Sequence, residues 1–441
     1  MEILLVLIVV VILMVVAAAK FNFHPFLSLI LAAIVMGFVG GLSESEVINT
    51  LMNGFGKTLG SIGIIIAFGT IIGAYLEKSG GAKTLANFVL KIIGKKRAAL
   101  AMNITGFIVS IPVYCDSGFI ILSPLNKAIS KSTKIPLVVL GVSLAAGLYA
   151  THVFVPPTPG PLAAAAALDA DLGMVIMLGL VVAIPVSLVG LVWAKYIGKK
   201  IKTENIESET IEDIKVEKLP KTGMSFGPII IPILLITLKS ISNYPTHPFG
   251  EGTISSILNF VGNPVIALLF GVFLAFNLKD KKSKDTHHNW VASGLKEAGI
   301  IILITGAGGA FGAILRATGI GEIIGSSFSN MNIGLLLPFI IAAVLKSAQG
   351  SSTVAIITTA AIIAPTLESF GLDSSLGRAL TVLSVGAGAM TVSHLNDSFF
   401  WVVAQFTEMD TPTALKSQTV STFFQGLTGI IIVMIIGWLF L

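Results

Sequence analysis

The chain has 441 residues, of which 54% are hydrophobic and only 12% are charged, and its mean hydropathy is +0.93. This composition excludes a soluble domain and predicts a polytopic membrane protein embedded in a lipid bilayer. The net charge of +5 lies in short loops, so it indicates membrane orientation and no nucleic-acid partner is expected. A single cysteine excludes an intrachain disulfide.

The first apolar run, residues 2–19, is predicted to be a retained helix. Glu2 precedes it and Lys20 follows it, whereas a signal peptide carries basic residues before its apolar core. The same asymmetry places the N-terminus outside. The elements that follow in the first half are spans at 26–42 and 59–77, a re-entrant hairpin at 98–126, a broken span at 136–169 and a span at 173–195.

The hairpin is predicted from its length and its flanks. Basic residues precede residue 98 and recur up to Lys134, which places both ends on the cytoplasmic side. About 29 residues separate these flanks, whereas two full spans need roughly 40. The chain is therefore expected to turn at Tyr114–Gly118 within the bilayer. Irregular backbone at that depth requires burial in protein or a water-filled cavity, which is typical of transporters.

A charged cytoplasmic linker, residues 198–222, separates residues 1–197 from a second half, residues 223–441. Spans are predicted there at 224–240, 256–278, 290–316 and 418–441, with a hairpin at 333–366 and a broken span at 379–407. The second hairpin turns at Ser347–Thr353, and its flanks carry acids without Lys or Arg. By the charge rule it enters from outside.

The two halves repeat with opposite orientation. The expected breaks are the proline-rich segment Thr151–Pro161 and the polar segment Ser393–Ser398. Glycine-rich stretches beginning at Gly69 and Gly308 also match. Each half has five crossings, one of them broken, and one hairpin, so the second half starts on the opposite face. The predicted fold is therefore an all-α polytopic membrane protein of two inverted-topology repeats, with the C-terminus outside.

Hairpin tips and helix breaks present free N–H groups and a positive dipole end, which suit an anion such as a carboxylate. Uncharged side chains there can hydrogen-bond a small polyhydroxy acid, and glycines let the backbone approach it. The alternative is that the hydroxyls only satisfy carbonyls freed at the breaks. The predicted substrate-binding residues are Ser117, Gly118, Thr158, Gly350, Ser351, Ser352, Thr353, Asn396, Ser398, His152 and His394.

Asp116 and Asp397 are the two acids expected at mid-membrane depth, where a carboxylate costs about 2.5–3.5 kcal/mol and is usually functional. They are the predicted proton-coupling residues; the alternative is a structural hydrogen bond at each tip. His152 and His394 suit a proton relay, a substrate contact or a helix cap equally. The two histidines do not form a metal site. Lys346 either attracts the carboxylate or neutralises a buried acid.

Four segments in order resemble the gluconate permease (GntP) family of bacteria. They are Val113–Pro124 (VYCDSGFIILSP), Thr151–Gly160 (THVFVPPTPG), Gln349–Thr359 (QGSSTVAIITT) and Ser393–Trp401 (SHLNDSFFW). The resemblance covers essentially the whole chain. It implies the ion-transporter superfamily fold, a homodimer, an elevator motion and proton symport of gluconate, other sugar acids, glycerate or D-serine. Sodium-coupled relatives carry Ser-Asn-Thr at both tips; this chain has Cys115-Asp116-Ser117 and Gly350-Ser351-Ser352, which favours protons.

The predicted function is proton-coupled import of gluconate or a related sugar acid across the bacterial inner membrane, with no cofactor besides the coupling proton. One alternative is a sodium-coupled carboxylate transporter. Another is an intramembrane enzyme with Asp116 and Asp397 as a catalytic dyad. The acids lie in separate repeats without a protease motif, so no enzymatic activity is expected. A channel is disfavoured because no ring of pore-lining charges is visible.

Overall fold

The computed structural model describes residues 2–21, 23–200, 219–243, 248–250, 252–279, 287–320 and 334–441. All regular structure within these ranges is helical, and they contain no strand. Three stretches lie outside the described residues. They are most of the charged linker, the charged loop after Lys279 from residue 280 onward, and residues 321–333 before the second hairpin.

The described residues of the first half form nine α-helices. They are α1 (Glu2–Phe21), α2 (Pro25–Val39), α3 (Glu44–Lys78), α4 (Gly81–Ile93), α5 (Ala98–Val109), α6 (Cys115–Thr133), α7 (Leu137–Phe154), α8 (Pro159–Ala167) and α9 (Leu172–Ile197). A short 3₁₀ turn at Lys95–Arg97 joins α4 to α5. Helices α5 and α6 form the first hairpin, and α7 and α8 form the first broken span.

In the second half the described helices are α10 (Thr222–Ser242), α11 (Thr253–Val261), α12 (Pro264–Phe276), α13 (His287–Ala317), α14 (Leu336–Gln349), α15 (Ser352–Ile363), α16 (Ser375–Met390), α17 (Ser398–Phe406), α18 (Thr411–Ala414) and α19 (Val420–Phe440). Helices α14 and α15 form the second hairpin, and α16 and α17 form the second broken span. A π-helical turn at Leu415–Thr419 joins α18 to α19. Two 3₁₀ turns follow α15.

Six helices within the described residues are long and apolar enough to cross a membrane, and a seventh span is formed if the bent pair α11 and α12 counts as one. That pair corrects the single span predicted at 256–278, because the helices bend by 63° at Gly262–Asn263, where the Asn263 side chain caps α12. The third span begins at Glu44 and not at residue 59, since Ser43 and Glu46 form a capping box there.

The bounds of two predicted turns differ from the observed ones. The first hairpin turns at residues 110–114, and Cys115–Gly118 form the first turn of α6, where the Gly118 N–H donates to the Tyr114 carbonyl at 2.8 Å. The first break is residues 155–158, so Thr151 and His152 belong to α7. Pro159 opens α8, where proline needs no N–H donor and its fixed φ suits the first helical turn. The predicted second break is close to the observed one, residues 391–397.

Equivalent helices pack in equivalent pairs in the two halves. Helix α5 packs on α7 as α14 packs on α16, and α7 packs on α9 as α16 packs on α19. The halves also interlock, because the second arm of each hairpin packs on the helix after the other half's break: α6 on α17, and α15 on α8. The long helices α3 and α13 pack extensively on each other.

Polar contacts identify two ends of the molecule. At the Asp171 end, Ser240 donates to Asp171 at 2.6 Å and Arg378 donates to the Leu168 carbonyl at 2.9 Å. Helices α9 and α10 run from there to the Lys127 end. At that end Trp193 donates a hydrogen bond to the Ser417 carbonyl, and Thr84 donates one to the Pro220 carbonyl. Tyr75 is hydrogen-bonded to His287, and Lys127 forms an ion pair with Glu408.

Candidate functional site

Four helix N-termini from both halves lie in two pairs, α6 with α17 and α8 with α15. The N-termini of α6 and α17 meet where the Ser398 hydroxyl donates to Asp116 Oδ2 at 3.4 Å. Those of α8 and α15 meet where a Cβ placed on Gly160 would lie 3.7 Å from the Thr353 Cα. Each helix N-terminus carries the equivalent of roughly half a positive charge, so each pair favours an anion.

A buried ion pair lies at the centre of this region. Lys346 Nζ lies 2.6 Å from Asp397 Oδ2, and the two side chains are 0% and 6% exposed. The Ser393 hydroxyl donates to the same carboxylate oxygen, and Lys346 also donates to the Gly350 carbonyl. Asp397 Oδ1 accepts the Phe399 N–H at 3.1 Å, so Asp397 is the N-cap of α17. Every formal charge in this pair is therefore matched and hydrogen-bonded.

Asp116 is bound much less completely. Its only hydrogen bond among the described residues is the long one from Ser398, and its buried Oδ1 has no partner there. It interacts electrostatically with both Asp397 and Lys346, so it belongs to the same group of charges. We call Asp116, Lys346, Ser393, Asp397 and Ser398 the central cluster. A buried carboxylate oxygen without a donor is a position where a proton or a ligand hydroxyl can bind.

Aromatic side chains of α7 and of the first hairpin border the central cluster. Tyr149 is fully buried, with its ring 5.3 Å from Phe399 and 6.4 Å from the His152 ring. Lys346 Nζ lies 5.9 Å from the Tyr149 ring centroid. On the other side of His152, the Tyr114 ring is 5.9 Å away. His152 is buried, and its Nδ1 has no hydrogen-bond partner within the described part of the chain.

Hydrogen bonds join the second hairpin to the second break. His394 Nε2 donates to the Ser347 carbonyl at 2.8 Å, and Asn396 Nδ2 donates to the Ser347 and Ala348 carbonyls at 2.9 and 3.1 Å. Gly350 has φ +80°, and a Cβ there would overlap the Asn396 carbonyl. His394 and Asn396 thus satisfy carbonyls at the end of α14. The sequence predicted both as substrate-binding residues and left a helix cap open for His394.

The remaining predicted site residues lie at or beside the four helix N-termini. Ser351 caps α15 by accepting the Val354 N–H, and the Thr158 hydroxyl bonds the Val155 carbonyl. Ser352 is buried, Thr353 is half-buried, and Ser117 lines a separate cleft with Tyr114. Gly118 is a packing position inside α6, where an added Cβ would lie 2.8 Å from Leu148.

Sequence reasoning did not place three members of this site: Lys346 was left between two roles, and Ser393 and Tyr149 were not selected as site residues. The signal for Lys346 was a lone cation inside an apolar run, and burial of such a residue demands a counter-ion. Its partner lies 51 residues away, so only the fold identifies it. Within the described residues no group of three or more His, Cys, Asp or Glu side chains is placed to hold a metal ion.

This architecture of apolar helices, paired hairpins and paired breaks defines a polytopic membrane protein. The crystal structure of the YdaH transporter of Alcanivorax borkumensis has the same fold, with a TM-score of 0.64 over 94% of this chain and 98% of that chain, at 13% identity.

The GntP family permease model matches residues 1–439. An uncharacterized permease of Haemophilus influenzae is 40% identical over 86% of this chain and 80% of that protein. The gluconate permease of Pseudomonas aeruginosa is 33% identical over 95% of this chain and 94% of that protein. The D-serine transporter DsdX of Escherichia coli is 32% identical over 93% of each chain. The chain belongs to the GntP family of permeases. This confirms the predicted family and excludes the enzymatic alternative, because the relatives are permeases and transporters.

Proposed function

We propose that this permease imports gluconate or a related sugar acid together with a proton. The observation that carries the proposal is the two pairs of helix N-termini beside the central cluster. The names of two relatives, a gluconate permease and a D-serine transporter, share one chemical feature in their substrates: a carboxylate beside hydroxyl or amino groups. The cluster and the polar side chains around it match such a compound.

The substrate carboxylate is proposed to bind near the N-termini of α8 and α15, where Thr353 is half-buried and Ser352 lies close by. The helix ends supply unpaired N–H donors and positive dipole charge. Lys346 adds no net attraction, because Asp397 already neutralises it. The hydroxyl end of the substrate then faces Asp116 and His152, whose free polar atoms can accept or donate hydrogen bonds.

Coupling is proposed to depend on Asp116. When Asp116 is ionised, it adds a negative charge to an otherwise neutral cluster and repels the substrate carboxylate. At an effective dielectric constant of about 20, two like charges about 8 Å apart, at the two ends of the substrate, repel by about 2 kcal/mol, which is roughly thirtyfold in affinity. Protonation removes that repulsion, so proton and substrate bind together. Asp397 is proposed to stay ionised as the partner of Lys346, which narrows the predicted coupling pair to one residue.

The proposed transport cycle is the one that the resemblance to the gluconate permease family implies. The repeats are proposed to be inverted, each with five crossings and one hairpin, and the hairpins and broken spans are proposed to move together as an elevator within a homodimer. The equivalent helix pairs and the two ends of the molecule support the inversion. We place the protein in the bacterial inner membrane with the Lys127 end in the cytoplasm and both termini outside. This orientation follows the basic flanks of the first hairpin.

The decisive experiment is uptake of labelled gluconate into proteoliposomes containing the purified protein. An inward pH gradient without sodium should drive accumulation, and an inward sodium gradient at equal pH should not. Unlabelled glycerate, D-serine and L-idonate, added as competitors, would then rank the substrates. Accumulation that needs sodium and ignores the pH gradient would replace the proposal with sodium-coupled carboxylate transport. Absence of uptake for every compound would refute a sugar-acid substrate.

A further inference from the structure

A second group of polar residues lies on the far side of the first hairpin turn from the central cluster. A narrow cleft lies there between α3, α13 and the turn. Its polar lining consists of Thr70, Glu77, Tyr114, Ser117 and Glu297. We call it the acidic cleft. Glu77 lies in the last turn of α3 and Glu297 in the first third of α13, so the cleft lies near the Lys127 end, where Tyr75 bonds His287.

Two carboxylates face each other in the acidic cleft. Glu297 interacts electrostatically with Glu77, and Lys78 is the cation that acts on both. Glu77 is half-buried, whereas Glu297 is exposed although it lies within a helix apolar enough to span the membrane. A carboxylate facing lipid would cost about 2.5–3.5 kcal/mol, so the exposed Glu297 is expected to contact water at the edge of the cleft. Two neighbouring carboxylates hold one proton more readily than either does alone.

Tyr114 connects the acidic cleft with the central cluster. Its ring contacts His152 on one side, and its hydroxyl lines the cleft and interacts electrostatically with Glu297 on the other. The hydroxyl oxygen is buried and has no hydrogen-bond partner in the described part of the chain. Ser117, which also lines the cleft, follows Asp116 directly in the first turn of α6. The proton site and the cleft are therefore separated by one layer of side chains.

We propose that Glu77 and Glu297 form a second proton-binding site, which accepts the coupling proton from Asp116 and releases it to water at the Lys127 end. In this step a proton leaves the Asp116 carboxyl group and binds a carboxylate of the pair, with the hydroxyls of Tyr114 and Ser117 between them. Each hydroxyl that relays the proton accepts one proton and gives up its own, so the relay leaves no net change in the hydroxyls. The titratable and charged groups facing the pair are Lys78 on α3 and Tyr114 in the hairpin turn. The inference rests on the proposed proton-coupled transport.

The test compares Glu77→Gln and Glu297→Gln with Glu44→Gln, a control in the exposed first turn of α3. Both test variants should lose accumulation driven by a pH gradient at least tenfold relative to the control. Exchange of labelled for unlabelled substrate at equal pH should stay within twofold, because exchange needs no net proton release. Glu77→Asp should restore accumulation. The pH profile of net uptake should flatten in both glutamine variants.

Accumulation at the level of the Glu44→Gln control would overturn the inference. So would a parallel loss of accumulation and exchange in Glu297→Gln, since that would indicate a structural role. Stimulation by sodium at constant pH that disappears in both variants would assign the cleft to a metal cation instead of a proton. Wild-type protein without proton-driven uptake would refute the proposed function itself, which is a different result from a failure confined to the variants.

Discussion

At the scale of single residues, the carboxylates of Asp116 and Asp397 occupy different environments. Asp397 has a lysine, a serine hydroxyl and a backbone N–H as partners, whereas Asp116 has one long hydrogen bond from Ser398. The complete set of partners around Asp397 suits a permanent charge that holds α17 against the second hairpin. The incomplete set of partners around Asp116 suits a carboxylate that is reversibly protonated. The sequence treats the two acids as equivalent, and their neighbours distinguish them.

Asp116→Asn should abolish accumulation driven by a pH gradient while leaving substrate exchange intact, because the amide imitates the protonated carboxyl group permanently. The apparent affinity of the wild-type protein should fall as pH rises, since ionised Asp116 repels the substrate carboxylate, and the variant's affinity should not change with pH. Competition binding between pH 5 and 8 measures this. Asp373→Asn, at an exposed loop position, is the control. Unchanged accumulation in Asp116→Asn would remove Asp116 from coupling.

Lys346→Met should destabilise the protein by about 3–5 kcal/mol, because it leaves the buried Asp397 carboxylate without its counter-charge. The double variant Lys346→Met, Asp397→Asn should recover most of this loss, since the asparagine side chain is neutral and can still cap α17. The exposed pair Lys127–Glu408, also 2.6 Å apart, provides the control: Lys127→Met should cost less than about 1 kcal/mol. Thermal unfolding in detergent measures all three. Equal shifts for Lys346→Met and Lys127→Met would contradict a strong buried pair.

At the scale of helices, each hairpin turn is stabilised by a side chain that donates a hydrogen bond to a carbonyl of the turn. Ser110 donates to the Val113 carbonyl in the first hairpin, and Lys346 donates to the Gly350 carbonyl in the second. The second turn is the tighter one, with only Gly350 and Ser351 outside the helices. Its backbone lies against Asn396, so the hairpin and the break form one unit. Movement of one is therefore expected to carry the other.

Gly350→Ala should destabilise the protein and reduce transport, because its φ of +80° disfavours a side chain and the added Cβ would overlap the Asn396 carbonyl. Gly371→Ala is the matched control, since Gly371 also has a positive φ, +64°, but open space around it. The control should cost roughly 1–2 kcal/mol of backbone strain, and Gly350→Ala clearly more. Unfolding temperature and gluconate uptake report the difference. Similar values for both variants would show that the hairpin tolerates movement away from the break.

At the scale of the whole molecule, the two halves are interlocked by their hairpins and breaks. Because α6 packs on α17 and α15 packs on α8, neither half can complete the central cluster alone. Asp116 comes from the first half, and Lys346 and Asp397 come from the second. A site built from both halves of the chain can be reached from either end if the surrounding helices rearrange, which suits the proposed alternating access.

Cysteine labelling tests the proposed inversion of the repeats. In a background in which the buried Cys115 is replaced by alanine, Ser132→Cys should react with a membrane-impermeant reagent only from the cytoplasmic side. Gly319→Cys should react only from outside, because Gly319 follows the opposite end of α13 from His287. Reagent applied to intact cells and to inverted vesicles separates the two results. Labelling of both positions from one side would refute the inversion and the mid-membrane site with it.

The sequence alone determined the class of protein, the family and the approximate place of most helices. These follow from apolar run length, proline and glycine positions and charged flanks, which are local properties of the chain. It also selected the polar segments that the fold brings together at the candidate site, whose role stays a prediction. Local signals failed at the exact turns: the polar run Tyr114–Gly118 predicted a turn, but residues 115–118 form hydrogen bonds that begin α6. The amphipathic helix α4, too short for a span, was missed.

Only the tertiary structure decided how the site residues pair. Lys346 and Asp397 are 51 positions apart, and Ser398 and Asp116 are 282 apart, so no periodicity in the chain connects them. A charge in the membrane interior is stable only where the fold brings a partner to it. Which acid keeps its charge and which can lose it is therefore set by packing between the two halves.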